Sequence, residues 1–133
     1  MGSLAVYAEN KVLDHIVGKS SFTMPSIWLA LFTVTPTHED GTGGTEASAG
    51  NYIRKSTAAG DWATASAGAI QNSGDITFIE CATTDWGTIN GFALYDSESG
   101  GNMIGWGALG TAKPISIGDT AKFAAGDLDI TLD

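Results

Sequence analysis

The sequence predicts a mainly β chain: an antiparallel β-sandwich or open barrel with one N-terminal α-helix. Three observations carry that expectation. Short apolar segments with period-two alternation recur from Ile27 onward. Turn residues interrupt the chain often, with 18 glycines in 133 residues, which leaves room for few helices of any length. Only residues 3–17 combine a lack of Gly and Pro with apolar positions at helical spacing. Strand–helix alternation of the parallel-sheet kind is absent, and no internal repeat is visible. The length and the 43% hydrophobic share suit one domain spanning 1–133.

The N-terminal helical segment is assigned to residues 1–19. Ala5, Ala8, Val12 and Ile16 form its stripe, and Leu13 and Val17 widen it, for packing on a sheet or docking on a neighbouring subunit. Ser3 is the expected cap at the start and Gly18 at the end. After Ser20 the period changes. Ile27, Leu29 and Leu31 face one way and Trp28, Ala30 and Phe32 the other, so this strand is apolar on both faces and belongs in the middle of the structure. Pro36 ends it, because proline cannot donate to a central ladder.

Residues 37–50, Gly-rich and carrying Glu39, Asp40 and Glu46, read as an exposed, mobile acidic loop. Further strands are expected over 52–57, 76–81, 89–95, 103–109, 121–123 and 128–132. The third and fourth form a hairpin around the turn 96–102. In the third strand Ile89, Gly91, Ala93 and Tyr95 alternate against Asn90, Phe92 and Leu94. The dipeptide Gly-Asp recurs at 60–61, 74–75, 118–119 and 126–127, each time at a turn into a strand, where Gly supplies positive φ and Asp a local acceptor.

Charge and composition exclude several functions. A net charge of −9 argues against nucleic-acid binding, which needs a basic patch. No apolar run approaches the ~18 residues of a membrane span, and no leader pattern opens the chain. One cysteine, Cys81, allows no internal disulfide and reads as a small buried hydrophobe.

Catalytic, metal and cofactor sites are not expected. The two histidines, His15 and His38, are far apart, and no nucleophile elbow, phosphate loop or zinc spacing occurs. Asp127 and Asp129 read as a surface row of acids. Trp28 and Trp106 are expected in the core. Trp62 and Trp86, each after an Asp near a turn, are candidate interface anchors or sugar-stacking platforms, or an aromatic lid over one end of the sandwich.

Several stretches resemble a family of small tailed-bacteriophage virion proteins, often labelled tail fibre proteins. They include Tyr7-Ala8-Glu9-Asn10-Lys11-Val12-Leu13-Asp14-His15, Phe22-Thr23-Met24-Pro25, Leu29-Ala30-Leu31-Phe32 and Tyr52-Ile53-Arg54. Later ones are Asp85-Trp86-Gly87-Thr88-Ile89, Phe92-Ala93-Leu94-Tyr95-Asp96, Gly118-Asp119-Thr120 and Phe123-Ala124-Ala125-Gly126-Asp127-Leu128. The resemblance implies a non-enzymatic virion structural protein made in the host cytoplasm, and it carries no catalytic residue with it. A small acidic chain without long repeats suits a capsid decoration, or cement, protein on the capsid exterior. Its partner would be the major capsid protein lattice, and it would form a homo-oligomer, a trimer or dimer. Termini and loops are the adaptable contact elements, which makes Tyr7, Lys11, His38, Glu39, Asp40 and Glu46 the candidate contacts. The alternatives are a tail, tail-fibre or baseplate accessory protein, and a carbohydrate-binding module using Trp62 or Trp86.

Overall fold

The computed structural model describes residues 2–132. Over these residues the chain is mainly β, with one α-helix, a short 3-10 helix at Ala59–Asp61 and two sheets, neither closed into a barrel. In order the elements are β1 (Gly2–Leu4), α1 (Val6–Ile16), β2 (Trp28–Val34), β3 (Thr45–Glu46), β4 (Lys55–Ser56) and β5 (Ala69–Gln71). They continue with β6 (Ile76–Glu80), β7 (Gly87–Tyr95), β8 (Met103–Ile115), β9 (Thr120–Phe123) and β10 (Asp129–Thr131). The large sheet has the order β3-β2-β7-β8-β1-β10-β5, with β4 also on β2, while β6 and β9 form a separate pair.

β2 is buried on both faces, as its apolar run predicts. Leu29 and Leu31 enter the main core, and Ala30 and Phe32 enter a smaller cluster on the opposite face with Ala5, Ala93 and Met103. The main core lies between the large sheet and the β6–β9 pair, where Phe123 meets Phe78 and Phe92 at 6.4 Å between ring centroids. The β7–β8 hairpin forms around 96–102 as expected. Its turn is held by Asp96, whose carboxylate accepts from the Asn102 N–H at 2.7 Å.

The Gly-Asp turns share one device at three of their four positions. The Asp61, Asp119 and Asp127 carboxylates each accept, at 2.8 Å, the N–H of the residue three places earlier. Each Asp N–H also donates back to that residue's carbonyl. Gly118 and Gly126 sit at φ +91° and +83°, the left-handed region that lets such a turn close. Asp75 instead pairs with Lys122 at 3.6 Å.

Several elements differ from expectation, for reasons of pairing. Ser3 is no helix cap. It lies in β1, opposite Trp106 on one side and Thr131 on the other, so α1 starts at Val6. The β1–β10 pair is parallel, within an otherwise antiparallel sheet. Gly18, at φ +75°, does follow the helix end. Within α1 only Ala8 is fully buried, and the outer part of the stripe is left in solvent. Of the expected strand at 52–57, only β4 enters a ladder. An irregularity between Ile89 and Gly91 turns Ile89 onto the face of Phe92 and Leu94, against the simple alternation. Trp28 and Trp106 are half-buried rather than central.

Candidate interaction surface

The loop tip and the helix start, the two elements expected to make contacts, meet in the fold. The Val6 N–H, one of the donors a helix leaves free in its first turn, donates to the Glu39 carbonyl at 2.9 Å. His38, Glu39 and Asp40 are exposed there. The Asp40 carboxylate accepts from the Thr42 hydroxyl at 2.7 Å and the Thr42 N–H at 3.0 Å, which together hold its pKa below the ordinary value. His38 Nδ1 lies 3.0 Å from the Thr37 hydroxyl. On the helix, Lys11 places its ammonium 5.7 Å from the centre of the half-buried Tyr7 ring. Five of the six candidate contacts therefore lie on α1 or the adjoining tip.

Glu46 does not, and the expectation for it is corrected. Thr45 and Glu46 form β3 in the sheet, and the next residue, Ala47, is buried at 4% exposure and donates its N–H to the Leu31 carbonyl at 2.9 Å. The Glu46 carboxylate takes a two-pronged ion pair from Arg54, Nε at 2.9 Å and the second guanidinium nitrogen at 2.8 Å. The remaining Arg54 nitrogen donates to the carbonyls of Ser97 at 2.8 Å and Gly100 at 2.9 Å. The Tyr95 ring lies against the guanidinium at 3.7 Å. The acidic loop is thereby clasped to the tip of the β7–β8 hairpin. Arg54 was legible only as a basic residue in a strand, since its partners come from 8, 43 and 46 residues away.

Tyr52 completes the clasp. Between β3 and β4 the outer edge of β2 has no strand partner at Leu31, and the Tyr52 hydroxyl fills the gap. It accepts from the Leu31 N–H at 2.9 Å and donates to Glu46 at 2.8 Å. Burial pushes the pKa of Tyr52 well above its ordinary 10.0, and the Glu46 charge adds to the effect. A raised folded-state pKa favours the fold fully below pH 10 and progressively less above it, because the unfolded chain then ionises first. Replacing Tyr52 with Phe is expected to cost about 1–2 kcal/mol at neutral pH and to flatten part of the alkaline decline. Urea unfolding of both proteins between pH 8 and 11 measures this.

The tryptophans separate by burial. Trp86 is 3% exposed, stands edge-on to Tyr52 with centroids 5.3 Å apart, and donates from Nε1 to Asn51 at 3.2 Å. It is a core residue, so its expected role as an interface anchor or sugar platform is corrected. Trp62 is half-buried and donates to the Thr57 hydroxyl at 3.1 Å. One aromatic at the surface does not make a stacking face.

His15 Nδ1 accepts the Phe22 N–H at 3.1 Å and pins the chain as it leaves the helix. Cys81 is buried. Among the described residues no three His, Cys, Asp or Glu side chains gather as a metal would require, and no helix is long and apolar enough to cross a membrane.

The helix stripe, expected either to pack on a sheet or to dock on a neighbouring subunit, divides between the two: Ala8 is buried and its far end is not. Leu13, Ile16 and Val17, on one face at i, i+3 and i+4, are 61%, 70% and 77% exposed. Met24, two residues past the His15 contact, is 88% exposed. The signal was present in the stripe; which part of it the sheet covers depends on where α1 starts.

A comparison with curated proteins gives no match. The family model described as "Podophage GP4 fiber I protein gp80" matches residues 3–131. The chain belongs to that family, which makes it a phage fibre-type virion protein.

Proposed function

We propose that the chain is a non-enzymatic attachment subunit of the virion fibre, docking on a neighbouring virion protein through α1 and the 37–42 tip. The observation that carries this reading is the exposed triad Leu13, Ile16 and Val17. Each such side chain is worth about 1.5–3 kcal/mol when buried, and three on one helix face form an anchor of the kind that helix-in-groove contacts use. At the other end of α1, the tip adds the charges of Glu39 and Asp40, and Lys11 adds its own from the helix between. The family description supports a fibre position.

A second reading is a cement protein on the capsid lattice. It is favoured by the small acidic chain, with a net charge of −9 and no extended repeat. A protein that binds only the mature shell stabilises it by linkage.

Co-sedimentation separates the two. Purified protein is added to tails lacking it and, separately, to capsids lacking it. Saturable binding to tails only, reduced at least about tenfold by L13E/I16E as loss of two anchors implies, supports the fibre reading. Saturable binding to capsids with a raised bursting temperature supports the cement reading and overturns the first. Both substituted positions are exposed, so the fold is expected to be retained. Sedimentation of the protein alone tests for the expected dimer or trimer.

A further inference from the structure

The face of α1 turned away from the sheets has a pattern of its own. Val6, Asn10, Leu13 and Val17 follow one another at spacings of four, three and four, the d-a-d-a repeat of a helix that packs against another helix. Asn10, Leu13 and Val17 are exposed and Val6 is half-buried. The Val17 N–H still donates to the Leu13 carbonyl at 3.2 Å, so the seam runs unbroken to the end of the helix. Ala8, at the f position on the opposite side, is the residue that the body of the protein buries. The seam therefore points straight into solvent.

Its flanks carry acids. In this register Glu9 holds a g position and Asp14 the next e position, on either side of the seam. Among the described residues neither carboxylate is in a salt bridge. Lys11, at b, leans over the Tyr7 ring on the side away from Glu9. His15, at f, spends its Nδ1 on the Phe22 N–H. At the start of the helix the exposed Glu39 and Asp40 add two more negative charges. Charges at e and g decide which helix a seam accepts.

These positions disfavour a second copy in either direction. In a parallel pair, Glu9 of each copy would face Asp14 of the other, acid against acid twice. In the antiparallel pair that matches Val6 with Val17, Asn10 falls opposite Leu13, and its amide is buried without a partner. A helix with bases at its own e and g positions turns the first obstacle into an attraction, and a polar residue level with Asn10 removes the second.

We propose that this seam pairs with an amphipathic helix of a neighbouring virion protein, one whose apolar stripe is flanked by Lys or Arg. The stripe covers Leu13 and Val17, with Ile16 widening the contact from its g position, while the cations lie over Glu9 and Asp14. Asn10 demands a polar residue at its own level, which fixes the register at a cost in affinity. The proposal rests on the reading that α1 docks on the virion, and it names the chemistry of what α1 meets there.

The test titrates the isotope-labelled protein with a three-heptad peptide carrying Ile at a, Leu at d, Asn at the central a and Lys at every e and g, followed by amide NMR. Shifts are expected over residues 6–17, and the peptide, whose lysines keep it from pairing with itself, should gain helical circular dichroism. The same peptide with Glu at e and g should give neither, nor should a scrambled lysine peptide of equal composition. Affinity is expected to fall at least about tenfold in L13E/I16E, and several-fold on raising salt from about 50 to 500 mM. In E9K/D14K the preference should invert, with the glutamate peptide binding and the lysine peptide not. The proposal is overturned if the parent shows no shifts, if they fall elsewhere, if the glutamate or scrambled peptide acts equally, or if E9K/D14K keeps the parent's preference. Broadening of the 6–17 amides with rising protein concentration, without peptide, would overturn it in favour of a second copy. Tail binding that is lost in L13E/I16E but unchanged in E9K/D14K would overturn it and leave the docking reading standing. Tail binding that ignores L13E/I16E would remove that reading and this proposal with it.

Discussion

Replacing Arg54 with Ala is expected to lower the unfolding free energy by about 3–5 kcal/mol, as breaking one half of a buried ion pair does. The side chain is 7% exposed and serves four acceptors: both Glu46 oxygens and the carbonyls of Ser97 and Gly100. Alanine leaves the half-buried Glu46 carboxylate with only the Tyr52 hydroxyl as donor and the two carbonyls without theirs, and it uncovers the Tyr95 ring. Each loss acts on a different chain segment, so β3 and the hairpin tip should loosen together. Arg54→Lys keeps the charge but cannot reproduce the fork, and is expected to recover less than half of the loss. Thermal and urea unfolding give the magnitudes. Hydrogen exchange at Ala47 and Asn102 gives the location. A change below about 1 kcal/mol, the range of exposed pairs, would show that the clasp is not a structural bond.

Asn72 supports the opposite end of the sheet in a comparable way. It is 1% exposed, and its amide donates to the carbonyls of Gly74 at 2.8 Å and Ala124 at 2.9 Å. Its oxygen accepts the Leu128 N–H at 2.9 Å. One side chain thus satisfies three backbone groups and fixes the turn that leads into β10. Asn72→Ala should cost about 3–5 kcal/mol, since several buried polar groups lose their partners at once. Asn72→Asp keeps the acceptor for Leu128 but turns a carboxylate toward two carbonyls. Its folded-state pKa is therefore raised. Relative to the parent it should be least stable at neutral pH and improve as acid restores a donor. Equal instability of both variants at all pH values would mean that packing volume, and not hydrogen bonding, sets the cost.

The parts of the fold that were legible depend on local pattern. The double-sided apolar run of β2 gave its central place, the turn at 96–102 gave the hairpin, and the Gly-Asp dipeptides gave reach-back turns at 61, 119 and 127. Long-range choice of partner was not legible. Ser3 has the chemistry of a helix cap, but the β8 edge and β10, about a hundred residues downstream, draw it into a strand. Period-two alternation placed Ile89 with Gly91 because sequence does not mark the extra residues on the opposing strand that turn it round. The interaction surface shows the same division. Composition placed candidate contacts on the helix and the loop tip, where His38, Glu39 and Asp40 are exposed and Tyr7 and Lys11 half-buried. Yet Glu46 looked like any acid in a Gly-rich loop until Arg54 was found beside it. Trp86 looked like a turn residue until the β6–β9 pair covered it.

The parallel pairing of β1 and β10 determines how the protein meets a mechanical pull. In a parallel pair the first residue of one strand and the last residue of the other lie at opposite ends. Tension applied through Gly2 and Thr131 therefore runs along the strands and loads their hydrogen bonds together, in shear. Antiparallel terminal strands would place both points of attachment at one end and open bond by bond, as a zip does. β1 is also laddered to β8 on its other flank, from Gly2 to Leu4, so it cannot slide without breaking both ladders.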